Sequence, residues 1–119
     1  MIIEKANGNI LEIGYYDAKN VEILIKLIVN NCPKIEKLGI LLDKDFIHLE
    51  PLLLNCRKLK FLEIYSEKLL FNVRRYLLDI LTKFSPNSLT EILFYDGSPS
   101  YLQIFKVDGK FKAIYRRKA

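Results

Sequence analysis

Asn31–Ile40 reads NCPKIEKLGI, and Asn55–Ile64 reads NCRKLKFLEI. Cys32 and Cys56 stand 24 residues apart, and one apolar spacing follows each of them. In the first copy it is Ile35, Leu38, Ile40; in the second it is Leu59, Leu62, Ile64. A weaker third copy is SPNSLTEILF at Ser85–Phe94, with Leu89, Ile92 and Phe94. Near the start, Ile10, Ile13 and Tyr15 keep the same spacing. Four segments thus share an L-x-x-L-x-L pattern at a period of 24 to 30 residues.

A pattern of this period is the spacing of leucine-rich repeats. Each unit is a short strand, a turn and a returning helix. One unit cannot bury its apolar side alone, so units stack and share a core. The fold expected is α/β: a leucine-rich-repeat solenoid fragment. It has about four short parallel strands, returning helices and a hairpin-like cap at the C-terminal end. The repeats would occupy Met1–Gly97, the first of them partial, and the cap with its basic tail Ser98–Ala119. Strand alternation puts the first, fourth and sixth positions in the core. The third, fifth and seventh face outward, onto the inner, concave wall of a solenoid.

Those outward positions form three rows. The first row is Glu12, Lys37, Phe61, Glu91; the second is Gly14, Gly39, Glu63, Leu93. The third is Tyr16, Leu41, Tyr65, Tyr95. The glycines are expected to leave a shallow area beside a crowd of large aromatics. Tyrosine joins apolar area to a polar tip and is enriched at binding hot spots. Cross-strand packing is the equally available reading of the same row.

The segments between repeats read mostly as helices. Val21, Leu24, Ile25 and Ile28 form one apolar face over Ala18–Asn31, with Asp17 placed to cap it. Pro33 closes that helix. Pro51 interrupts Asp43–Asn55, so a short helix with the proline near its first turn fits there. Ser66–Phe84 is the longest helical stretch, with Leu70, Val73, Leu77, Ile80, Leu81 and Phe84 as its buried stripe. Asp96-Gly97-Ser98-Pro99 is a turn. Beyond it, Tyr101–Val107 and Lys110–Tyr115 flank Asp108-Gly109, a two-residue hairpin signal.

Half of the 119 residues are hydrophobic, enough for a folded core. No apolar run approaches the roughly 18 residues that would span a bilayer. Glu4 and Lys5 interrupt the start before a signal peptide forms. With only two cysteines, a cytoplasmic or nuclear location with reduced thiols is expected. The net charge of +5 is uneven: Met1–Phe105 carries 13 Lys or Arg against 13 Asp or Glu. Lys106, Lys110, Lys112, Arg116, Arg117 and Lys118 follow, opposed by Asp108 alone. Such a tail can hold phosphates or simply be a solvated end.

The N-C-x-K-[IL]-x-x-L-x-I element resembles the cysteine-containing leucine-rich repeats of F-box proteins. Leu77–Tyr95, LLDILTKFSPNSLTEILFY, is similar to repeats of the large fungal F-box-like families. The resemblance covers about Leu11–Tyr95. In such proteins an F-box docks to a ubiquitin-ligase scaffold and the repeats recognise the substrate. The resemblance therefore implies a substrate-reading part of a ubiquitin-ligase adaptor. Two features depart from it: no F-box pattern precedes the first repeat, and the turn after each strand holds Ala18, Asp43, Glu67 or Gly97 where the family usually has Asn or Cys.

Catalytic chemistry is not expected. Zinc needs about four ligands, and the single His48 lies outside both cysteine motifs, so Cys32 and Cys56 read as buried structural thiols. Glu63 with Glu91 or Asp96 could imitate a carboxylate pair, but nothing supplies a nucleophile, a phosphate loop or a metal cluster. No enzyme and no cofactor are expected. The leading expectation is a protein-binding module, with Tyr16, Lys37, Phe61, Glu63, Tyr65, Glu91 and Tyr95 in contact with a protein partner. An open first strand, Ile10–Tyr16, invites self-association. The alternative is a small basic nucleic-acid-binding protein acting through the tail with Tyr101, Phe105, Phe111 and Tyr115.

Overall fold

A computed structural model describes residues 12–13, 26, 28, 30, 34–41, 49–66 and 73–117. Among these residues six strands form one sheet in chain order. They are β1 (Glu12–Ile13), β2 (Lys37–Leu41), β3 (Phe61–Tyr65), β4 (Glu91–Tyr95), β5 (Ser100–Val107) and β6 (Lys110–Arg117). Helix α1 (Leu49–Asn55) lies between β2 and β3, and α2 (Val73–Phe84) between β3 and β4. Lys26, Ile28 and Asn30 are helical, within the stretch expected to be a helix. Asp17, Cys32 and His48 lie outside the described residues, as does the start of the helix expected at Ser66–Phe84.

The parallel part of the sheet pairs in the register that the sequence spacing predicts. Glu12 sits opposite Lys37, Lys37 opposite Phe61, and Phe61 opposite Glu91. One layer along, Leu38, Leu62 and Ile92 are partners, and two further on Ile40, Ile64 and Phe94. All six of these side chains are buried, with Ile35, Leu59 and Leu89 beneath them. Leu49, Leu52 and Leu53 of α1 and Val73, Leu77, Ile80 and Leu81 of α2 complete the same core. The alternation therefore works as expected, with strand side chains at every second position under the helices.

The shared motif makes the turn from helix into strand. Leu59 N–H donates to the Cys56 carbonyl at 3.3 Å. In the next unit Leu89 N–H donates to the Pro86 carbonyl at 3.1 Å. Proline takes the equivalent site in the next unit, where its carbonyl is again the acceptor; Cys56 also donates its own N–H to the Leu52 carbonyl at 2.9 Å. Both residues are buried, Cys56 completely. The Arg57 guanidinium then reaches the Leu53 carbonyl at 3.1 Å and the Phe84 carbonyl at 2.9 Å. A cation on the terminal carbonyls of α1 and α2 complements their dipoles and fastens the two helix ends together. Pro51 is the third residue of α1, inside the first turn, where its missing N–H costs nothing.

The sheet is mixed, which corrects the all-parallel picture at one end. β5 pairs antiparallel with β4, and β6 antiparallel with β5. Asp96 makes the reversal possible: its Oδ1 accepts the Ser98 N–H at 3.0 Å, and Gly97 takes φ 84°. At the hairpin tip Asp108 and Gly109 have φ 52° and 77°, the left-handed pair that a tight primed turn needs. Leu102, Ile104 and Ala113 are buried in the common core, and Phe111 packs against it. The hairpin thus covers the apolar side of the last strand-turn-helix unit.

The basic segment is the second arm of the hairpin that the Asp108-Gly109 signal implies: Lys110–Arg117 pairs along its length with β5, with Lys110, Lys112, Arg116 and Arg117 exposed. Period-two alternation puts Phe111, Ala113 and Tyr115 on the helix side, where Ala113 is buried and Phe111 packs against the core, while Tyr115 stays 60% exposed. Among the described residues no helix is long and apolar enough to cross a membrane.

Candidate functional site

One side of the sheet carries the helices. On the other side the third, fifth and seventh positions of the units at β2, β3 and β4 are half-buried or exposed, apart from Gly39. Gly39 is buried, since without a side chain it has few atoms to expose. The rows expected from the repeats continue through the hairpin. Phe61 and Glu91 are followed by Phe105 and Lys112; Glu63 and Leu93 by Gln103 and Ile114. Tyr65 and Tyr95 are followed by Tyr101 and Arg116. Tyr16 and Gly14 lie outside the described residues.

The tyrosine row is a packed ladder. Tyr65 and Tyr95 stack with ring centroids 5.1 Å apart and planes 16° apart. Tyr95 and Tyr101 follow at 5.3 Å and 32°. Contacts of this kind add about 0.5–1.5 kcal/mol each beyond area burial, so the ladder arrives at any partner already ordered. All three rings remain half-exposed.

The carboxylates are fastened beside it. Tyr65 Oη donates to Glu63 Oε2 at 2.5 Å. Gln103 Nε2 donates to Glu91 Oε2 at 2.8 Å, and Arg116 Nε donates to Gln103 Oε1. Burial, and then the charge of Glu63, raise the Tyr95 hydroxyl above its ordinary pKa; Tyr101 and Glu91 add to this. The centre of the face is thus aromatic and negative in potential. Lys37 on one side and Lys112 and Arg116 on the other give it a basic margin.

Of the seven residues expected to contact a partner, Phe61, Glu63, Tyr65, Glu91 and Tyr95 gather on this face over two adjacent strands. Lys37 joins them from β2 as an exposed margin. Sequence reasoning missed Gln103 and Arg116, and it assigned Tyr101 and Phe105 to a different surface. The hairpin signal at Asp108-Gly109 fixes the pairing of β5 with β6, but nothing in the repeat spacing reports how β5 meets β4.

The aromatic set expected for nucleic acid does not come together. Tyr101 and Phe105 lie on the open face, while Phe111 and Tyr115 lie on the helix side, because cross-strand partners share a face. The carboxylates of Glu63, Glu91 and Asp96 each accept a hydrogen bond from the protein. Among the described residues no group of three or more His, Cys, Asp or Glu side chains is placed to hold a metal ion. A cleft of about 610 Å³ lies on the helix side, with Arg74, Arg75, Asp96, Ser100 and Tyr115 among its lining residues.

The fold and the face together define a small α/β domain that presents an ordered aromatic sheet surface. The chain matches no family model, no curated protein and no solved structure.

Proposed function

We propose that this chain is a protein-binding module of the leucine-rich-repeat type, and that the open sheet face is its recognition surface. The observation that carries the reading is the Tyr65–Tyr95–Tyr101 ladder, half-exposed on a sheet face that no described helix covers. Rigid aromatic rings lose little conformational entropy on binding and supply large contact area. Glu63 and Glu91 beside the rings favour a partner that brings arginine or lysine to the centre of the contact. The repeat register of β2, β3 and β4 supports the repeat assignment. The substrate-recognition role in an F-box-type ubiquitin-ligase adaptor rests on the sequence resemblance alone.

The test is a comparison of captured partners. The full chain is immobilised beside two variants, Tyr95→Ala on the open face and Leu54→Ala on the exposed side of α1. Proteins retained by the wild type and by Leu54→Ala, but lost from Tyr95→Ala, are the expected result. Identical capture by all three proteins would remove the open face from the function.

A further inference from the structure

Among the described residues β6 has a partner strand on one side only, since it ends the sheet. The direction of its free backbone groups follows from the hairpin. A two-residue turn makes Val107 and Lys110 a hydrogen-bonded closing pair. Lys112, Ile114 and Arg116 then also bond inward to β5. Phe111, Ala113, Tyr115 and Arg117 aim their N–H and C=O groups away from the sheet. The neighbouring ladder agrees, because Lys106 N–H donates to the Thr90 carbonyl and so faces β4. Eight residues of strand leave four donors and four acceptors in a row.

Charge selects what can pair there. Lys110, Lys112, Arg116 and Arg117 belong to β6, and no acidic residue does. Lysine on an edge strand guards against pairing with a second copy, which would set like charges opposite one another. The same charge attracts an acidic chain. Positive charge continues on the helix side, where Arg74 and Arg75 line the cleft with Tyr115, itself 60% exposed. A nucleic acid would find the phosphate-binding charge but no use for alternating backbone donors and acceptors along the edge. An extended peptide complements both.

We propose that the free edge of β6 accepts an acidic extended peptide as a seventh strand, held by its main chain and selected by its charge. This inference uses the sheet's edge, not its open face, and stands separately from the reading of the tyrosine ladder.

The test uses the full chain and a fluorescent, end-capped peptide alternating glutamate and valine. Its controls are the same peptide with lysine for glutamate, and a labelled single-stranded oligonucleotide of equal charge. Binding by polarisation is expected for the acidic peptide alone, weakening as salt rises. Backbone hydrogen exchange then locates it: saturating peptide should slow the amides of Phe111, Ala113, Tyr115 and Arg117. The inward amides of Lys112, Ile114 and Arg116, already protected, should change little. Ala113→Pro removes one outward donor and should weaken binding by about tenfold. Lys112→Glu with Arg116→Glu, which keeps every backbone donor, should abolish selection for the acidic peptide. No binding of the acidic peptide, equal binding of the lysine peptide, tighter binding of the oligonucleotide, or unchanged exchange at the four outward amides would each overturn the proposal.

Discussion

Replacing Leu62 by alanine tests the register on which both surfaces depend. Leu62 is fully buried in β3, with Leu38 of β2 and Ile92 of β4 as its cross-strand partners. The substitution removes three carbons from a site enclosed on both sides. At about 0.8 kcal/mol for each buried methylene, the transfer loss alone is about 2.4 kcal/mol. The cavity left between two flanking strands adds to this, giving about 3–4 kcal/mol, within the range for buried leucines. With a urea m-value of about 1.5 kcal/mol/M, the unfolding midpoint should fall by about 2 M. Ile64→Val, a milder deletion in the neighbouring buried layer, should cost about 1 kcal/mol and keeps the test open if the first variant folds poorly. Leu54→Ala is the control: Leu54 is 48% exposed on α1 and should cost under about 0.5 kcal/mol. A one-residue slip of β3 would exchange its buried and open faces. Equal midpoints for Leu62→Ala and Leu54→Ala would therefore refute the register.

Two further predictions concern single side chains. The raised pKa of Tyr95 means that the unfolded chain loses this proton first, so its stabilisation is complete below the ordinary tyrosine value near 10 and is lost as pH rises through the folded value. Urea midpoints at neutral and strongly alkaline pH should show Tyr95→Phe losing less stability than the wild type over that interval; equal losses would count against the raised pKa, which burial and then Glu63 produce. Cys56, fully buried at the helix-to-strand turn, should react with a thiol reagent only as fast as the protein opens. Prompt modification of Cys56 in native buffer, identified by peptide mapping, would contradict its burial.

The parallel half of the sheet was legible because one spacing sets both the buried positions and the register. Leu38, Leu62 and Ile92 occupy the same place in their repeats, and the same place in adjacent strands. The two-residue turn at Asp108-Gly109 was legible for a local reason, since few residues tolerate consecutive positive φ. What escaped was non-local. The charge count of the last residues says nothing about Phe111, Ala113 and Tyr115 sharing a side with the core. Antiparallel docking of β5 on β4 moves Tyr101 beside Tyr95, a contact between strands that belong to different patterns. Gln103 escaped as well, because its value lies in joining Glu91 to Arg116, and neither neighbour is close in sequence.

The change of strand direction after β4 fixes where this architecture can vary in length. Lys37 and Phe61 are partners 24 residues apart, and Phe61 and Glu91 are partners 30 apart. Each interval returns the chain in the same direction and the same phase, so duplicating or deleting one interval leaves its neighbours with matching surfaces. The hairpin ends that equivalence. β5 runs the other way, and its outer neighbour offers a charged border where another parallel unit would need an apolar one. Gene duplications within such a sequence are therefore tolerated upstream of β4 and blocked downstream of it. The two sides of the sheet therefore differ in kind: the rows on the parallel side can lengthen by whole intervals, while the antiparallel hairpin keeps one shape.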